Sequence, residues 1–322
     1  MDRKGQLEHP GWWANLVEAG GLAEGERVLV CVDEPLAEEG SQLVAAATDA
    51  GGRAELALWT GERPLPDLPP DVARAAAAAD LAYLILEQPR GDEAGIRQKF
   101  YGAVNDHGGR VIFMGFITGD LLRDELSGPV PDLSGPARQL LGELEGAQTL
   151  RIRGAAGTDL TLVVRERPWQ TDAGAVEPGS MANFPGGEVF VSPVEDGADG
   201  LLVADLTVPY TVDGLVDKPV SLRFERGRVV AIEGGRAAEL LRELVENAGD
   251  GADVIAELGL GLNPAVRPRG HVLLDEKAAG TAHVAIGSNI GFYGGNNASS
   301  IHVDCIFSEP RLEVDGRPVA LG

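Results

Sequence analysis

The chain is predicted to be α/β, with an N-terminal domain on a doubly wound, mostly parallel sheet and a mostly β (α+β) domain after it. Three observations predict this. In the first part, apolar runs of strand length alternate with helix-length stretches, the pattern of strand–helix–strand crossovers. Beyond that, short alternating strands dominate and helices become rare. The 322 residues also suffice for two separate cores. The expected domains are 1–145 and 146–322.

The elements of the first domain follow in order. Arg27 to Val32 (RVLVCV) is apolar throughout, as a strand buried on both faces must be, and helix Glu38 to Ala50 ends at Gly51-Gly52. Ala54 to Trp59 is the next strand, and the Pro-rich loop 64–70 leads into helix Asp71 to Ala78. Leu81 to Leu86, helix Gly95 to Asp106 and Arg110 to Met114 complete the alternation, and helix Ala137 to Glu145 closes the domain. The turn after the first strand, VDEPLAEEG, lacks the glycines that let backbone approach a pyrophosphate, so nucleotide binding is not expected there.

The second domain reads as strands Thr149 to Arg153, Leu160 to Glu166, Glu188 to Val191 and Gly200 to Val208. Val220 to Glu225 and Arg228 to Glu233 flank Arg226-Gly227, a hairpin signal, and helix Ala237 to Asn247 follows.

Composition narrows the function. The net charge of −23 repels phosphate backbones and anionic lipid, so neither nucleic acid nor membrane is an expected partner. No apolar run approaches a membrane span, and the first residues lack the apolar core of a signal peptide, so a cytoplasmic location is expected. Of the two cysteines, Cys31 sits in an apolar strand and Cys305 follows Asp304. Neither points to a disulfide framework.

The chemistry gathers near the C-terminus. In a strand, residues i and i+2 share a face, so His302 and Asp304 emerge side by side and suit one cation. Cys305 then points away from that face. His283 lies among small residues in Thr281 to Gly287. Asp275 and Glu276 stand at the expected end of a strand formed by Leu273-Leu274. Glu257 sits in the apolar, glycine-containing run Ile255 to Gly261, and Glu188 in a similar run, Asn183 to Phe190. Imidazoles and carboxylates from separate segments of one domain suit Zn²⁺, Mn²⁺, Co²⁺ or Fe²⁺. The glycine-rich loop 291–297 joins the two histidine strands and carries Tyr293; a substrate contact and a plain hairpin tip are both open readings.

The segments GTDLTL (157–162), NFPGGEVFVSP (183–193), AELGLGLNP (256–264), LLDEKAAGTAHVAIG (273–287) and SSIHVDCIF (299–307) resemble, in that order, the aminopeptidase T family of M29 metallo-aminopeptidases. The resemblance implies an α/β N-terminal domain, a metal-binding catalytic domain, homodimers and short-peptide substrates. It implies two divalent ions, Zn, Co or Mn, joined by a shared carboxylate. Carried over motif by motif, Glu188, Glu276, His283, His302 and Asp304 fall on ligands and Glu257 on the bridging position, with Glu188, Glu257 and Tyr293 the candidates for catalysis. The stretch from Glu276 to His283 is two residues longer than the family's usual one. Asn289 and Ile290 stand where the family's tyrosine is expected, and Tyr293 is the nearest tyrosine. The same superfamily includes 2,5-dihydroxypyridine dioxygenases with one Fe(II). His283, His302 and Asp304 would form their two-histidine, one-carboxylate set, with a small aromatic molecule as substrate. A metal-binding relative without activity is the third reading.

Overall fold

A computed structural model describes residues 11–90, 93–174 and 176–321. In chain order its strands are β1 (Arg27–Val32), β2 (Arg53–Leu58), β3 (Leu81–Leu86), β4 (Arg110–Gly115), β5 (Thr149–Arg153), β6 (Asp159–Val163), β7 (Gln170–Thr171), β8 (Met181–Asn183) and β9 (Glu188–Val191). The remaining strands are β10 (Ala198–Ala204), β11 (Val220–Glu225), β12 (Arg228–Glu233), β13 (Ile255–Gly261), β14 (Thr281–Gly287), β15 (His302–Ser308), β16 (Arg311–Val314) and β17 (Arg317–Val319).

Two compact units result. The first comprises the described residues through Pro131 together with Gly174–Gly186, and the second Asp132–Ala173 with Gly187 onward. The boundary therefore falls ahead of helix Ser134–Leu144, not after it. That helix buries Leu140 and Leu144 in the core of the second unit.

The first unit is a five-stranded parallel sheet in the order β2-β1-β3-β4-β8. The reversal of direction at β1 makes it doubly wound, as the alternating pattern predicts. Both faces are covered. Leu29, Cys31, Ala82 and Leu84 pack with Val72 and Ala76 of helix Pro70–Ala76 and with Phe100 and Val104 of helix Ala94–Asn105. On the opposite face Tyr83 donates its hydroxyl to the Leu16 carbonyl of helix Trp12–Ala19 at 2.9 Å. The short strand β8 returns to this sheet long after β4 in sequence, a non-local pairing that periodicity does not reveal.

The second unit holds two antiparallel sheets, β12-β11-β10-β6-β5-β16-β17 and β15-β14-β13-β9-β7. Leu150, Ile152, Leu160, Leu202 and Leu222 of the first meet Val191, Leu258, Leu260, Val284, Val303, Cys305 and Phe307 of the second in one aliphatic core, joined by Leu241 of helix Arg236–Ala248. Cys305 lies in that core, on the side away from His302 and Asp304, as strand alternation predicts.

One expected element differs. Leu273 to Lys277 does not end a strand: Val272–Asp275 is a short helical turn, with Asp275 N–H on the His271 carbonyl at 2.9 Å and Glu276 N–H on the Val272 carbonyl at 3.0 Å. A short apolar run is ambiguous between the two states. Here the Asp275 carboxylate decides it, accepting from the backbone N–H of Arg269 and Gly270 and from the Thr207 hydroxyl. No described helix is long and apolar enough to cross a membrane.

Candidate metal centre

The five-stranded antiparallel sheet has one face in the core, so its other face is free to carry polar groups. Pairing register places them. Glu257 pairs with Ala285, and Ala285 with Asp304, so the two carboxylates flank one alanine across three strands. Gly259 pairs with His283 on one side and with Phe190 on the other. Glu188 lies opposite Gly261, and His302 opposite Gly287. With a period of two, one face thus bears Glu188, Glu257, His283, His302 and Asp304 over Gly259, Gly261, Ala285 and Gly287. A β-bulge between Ile255 and Glu257 sets the arrangement. It lets Ile255 enter the core with Ile286 while Glu257 faces the other way, a use of bulges common beside functional sites.

Gly259 has a steric reason to be glycine. A Cβ there would lie 2.1 Å from His283 Cε1 and 2.2 Å from Nε2, so the imidazole rests directly on the bare backbone.

The donor atoms converge. Glu257 Oε1 is 3.6 Å from His283 Nε2, and Glu257 Oε2 is 3.1 Å from His302 Nε2. Asp304 Oδ1 lies 3.2 Å from His302 Nε2 and 3.9 Å from His283 Nε2. Glu188 Oε2 is 3.6 Å from His283 Nε2. Three sets each have donor atoms within 4.8 Å of one another: Glu188, Glu257 and His283; Glu257, His302 and Asp304; and Glu276, His283 and Asp304. The two histidines fall in different sets, and Glu257 belongs to a set with each. His302 Nδ1 is 2.7 Å from the Ser288 carbonyl. A carbonyl only accepts, so Nδ1 carries the proton and Nε2 is left for the site.

These donors fit a divalent ion of the zinc class. They are imidazole and carboxylate only, the mixed N/O chemistry such ions take. Glu188 Oε2 is buried without a hydrogen bond, which is costly for a carboxylate unless a cation satisfies it.

Electrostatics agree. Burial pushes Glu188 well above the usual carboxylate range, and Asp172 adds to this, while the Lys277 ammonium opposes it. Burial likewise outweighs Lys277 at Glu276 and raises it. At Glu257 and Asp304 the imidazoles overcome burial and hold both carboxyls below their ordinary values. Burial alone would lower His283, but Glu257, Glu188 and Asp304 override it and bring it to about 9. His302 is raised in the same way by Asp304 and Glu257.

A pH dependence follows. A ligating imidazole must be unprotonated, so metal affinity is expected to climb with pH up to about 9, with protons released on binding. Titration calorimetry in buffers of different ionisation enthalpy measures both. The metal-free fold should behave oppositely. His283 is raised above its unfolded value of about 6.5, so its stabilisation is complete below that pH and lost as pH rises through about 9. Metal affinity that does not change between pH 6.5 and 9 would contradict this reading.

Tyr293 lies on the short 3₁₀ turn Gly291–Tyr293, its ring stacked on His302 at 4.6 Å with 15° between planes, and edge-on to Phe190. Ile290, just ahead of this turn, is exposed. Asn289 holds the loop: its side chain donates to Glu195 at 3.1 Å and accepts from Asn297 N–H at 2.7 Å.

The structure thus brings all seven sequence-predicted residues to one region of the second unit, with Glu276 arriving from the helical turn. Two residues that sequence reading missed join them. Asp172 is buried and accepts the Gly187 and Glu188 N–H groups at 2.8 and 2.9 Å. Lys277 is buried among Glu188, Glu276 and Asp172. An excess of buried carboxylates was the one signal for such a lysine.

The model of the thermophilic metalloprotease (M29) family matches residues 137–319. The chain belongs to the M29 family. Among M29-related proteins it is 32% identical to aminopeptidase AmpS of Bacillus subtilis over 184 residues, which is 50% of this chain and 44% of that protein. It is 31% identical to aminopeptidase T of Thermus thermophilus over 182 residues, 50% of this chain and 43% of that protein. The 2,5-dihydroxypyridine 5,6-dioxygenase of Pseudomonas putida is 33% identical over 126 residues, 38% of this chain and 35% of that protein. Each match spans less than half of the relative. The M29 chain shares its fold with the solved P. putida dioxygenase, with a TM-score of 0.76, 21% identity and coverage of 97% and 94% of the two chains. It shares it also with wild-type AmpT from T. thermophilus, with a TM-score of 0.69, 20% identity and 96% of each chain covered.

Proposed function

We propose that this chain is a metal-dependent aminopeptidase that hydrolyses the N-terminal peptide bond of short peptides. Two divalent ions, Zn, Co or Mn, would be held by Glu188, Glu257, Glu276, His283, His302 and Asp304. The observation that carries this reading is the placement of Glu257. Its two oxygens face two different imidazoles, at 3.6 and 3.1 Å, as a bridging carboxylate requires. Membership of the M29 family and the aminopeptidase names of two relatives support the same reaction.

Bound divalent ions supply a water of lowered pKa and polarise a carbonyl. The protein supplies the rest. Glu188 and Glu257, the two carboxylates in one donor set with His283, are the candidates to move the proton from the attacking water to the leaving amine. Tyr293 stays protonated, because burial and the carboxylates of Glu257, Asp304, Glu276 and Glu188 push its phenol up. It therefore acts as a hydrogen-bond donor. The ring stacking holds His302 in place while its Nδ1–H is anchored on the Ser288 carbonyl.

A second reading has its own observation. Both imidazole Nε2 atoms approach Asp304 Oδ1, at 3.9 and 3.2 Å, and two histidines with one carboxylate are the residue types that hold a single Fe(II) in a ring-cleaving dioxygenase, though here the histidines share no donor set. Glu188, Glu257 and Glu276 weigh against it, since one iron does not need three further carboxylates.

Metal analysis of protein purified with and without air separates the two. The peptidase reading expects two zinc-class ions per chain and release of the N-terminal residue from unblocked short peptides. One iron per chain, with oxygen uptake on a dihydroxypyridine, would replace it.

A further inference from the structure

Lys277 keeps 1% of its surface exposed, and its ammonium lies between three carboxylates. Nζ is 3.1 Å from Glu276 Oε1 and 3.2 Å from Asp172 Oδ2, and it donates to Glu188 Oε1. An ammonium has three protons and no acceptor, which matches three carboxylate oxygens. Glu188 keeps Oε2 for the site, 3.6 Å from His283 Nε2, and Glu276 shares a donor set with His283 and Asp304. Asp172 belongs to none of the donor sets, and its other oxygen accepts the Gly187 and Glu188 N–H groups. It therefore fixes the backbone of Glu188 and, through Lys277, the side chain as well.

We propose that Lys277 is a positioning residue that occupies one oxygen each of Glu188 and Glu276 and so limits both to single-oxygen ligation of the ion on the His283 side. The assignment rests on the metal-site reading above. Its consequence is selective. Both donor sets that contain His283 include Glu188 or Glu276, whereas the set of Glu257, His302 and Asp304 includes neither. Loss of the ammonium should free the two glutamates to turn or to take up a proton, and loosen one ion only.

The test is zinc titration of the metal-free full chain, read by native mass spectrometry and by competition with a chromophoric chelator. Wild type is compared with Lys277→Met and with Lys277→Met/Asp172→Asn. The double variant leaves the buried net charge unchanged and retains an acceptor oxygen for Gly187 and Glu188, which keeps the test open if the single variant does not fold. In wild type two zinc ions are expected. In the variants one should bind as before and the other roughly 10- to 100-fold more weakly, the usual cost of losing a group that orients ligands. Two ions at unchanged affinity in a folded variant would overturn the assignment and leave the proposed function standing. Equal weakening of both ions would also overturn it, since a merely structural role predicts no selectivity. If wild type holds a single zinc, the two-ion function fails. The selective role of Lys277 then fails with it.

Discussion

Replacing Glu257 by glutamine is expected to lower kcat/KM by roughly 10³-fold, about 4 kcal/mol of transition-state stabilisation, and to take the protein below two ions per chain. The size follows from the position of this carboxylate. It is the donor common to the His283 and His302 sides, with one oxygen toward each. Glutamine keeps the shape but offers one weak acceptor oxygen and an NH₂ that repels a cation. The fold should tolerate the change. Glu257 is buried on a strand whose pairing is made by backbone, and its alternate residues Leu258 and Leu260 stay in the core. Metal analysis, steady-state kinetics and thermal unfolding of the same preparation check the three statements. A glutamine variant with full metal content and full rate would remove Glu257 from the bridging role and with it the main support for two ions.

Much of this site is legible in the sequence because strand alternation does the work. His302-Val303-Asp304 has to put imidazole and carboxylate on one face and Val303 and Cys305 on the other, and it does. Glu257 and Glu188 are conspicuous as single acids in apolar runs, where an unpaired charge is costly. The parallel sheet is legible for the same reason, since β1 and β3 are apolar on both faces. What sequence does not reveal depends on distant approach. Asp172 lies in WQTDAGAV, where no periodicity marks it, and it matters only because Gly187 and Glu188 come to it. Lys277 reads as an ordinary solvated lysine until three carboxylates surround it. The turn Val272–Asp275 is misread as a strand end because it is held by the Asp275 carboxylate, which accepts from the Arg269 and Gly270 N–H groups and from Thr207, the last a contact across 68 residues. The excursion of Met181–Asn183 into the first sheet is likewise a pairing with β4 that no local pattern foretells.

Gly259→Ala should displace a ligand imidazole with a single methyl. The added carbon would sit 2.1 and 2.2 Å from His283 Cε1 and Nε2, far inside van der Waals contact. One of the two must yield. The Gly259 backbone is held in the middle of the sheet, paired with Phe190 on one side and His283 on the other, so the imidazole moves. Its Nε2 then leaves Glu188, Glu257 and Asp304, and the His283 side of the site is lost. Overpacking of this kind costs about 1–3 kcal/mol of stability. The loss of metal should be larger, because a displaced ring is no ligand at all. Gly142→Ala is the matching control. It lies in helix Ser134–Leu144, an added Cβ there meets nothing within 4 Å, and alanine is favoured over glycine in a helix by up to about 1 kcal/mol. The two variants make the same chemical change, so stability and zinc content measured side by side separate the effect of a methyl from that of its place. If Gly259→Ala bound two ions with wild-type affinity, His283 would not be a ligand in its present orientation. The second ion would then have to be held by carboxylates, Glu188 and Glu276 among them, without an imidazole.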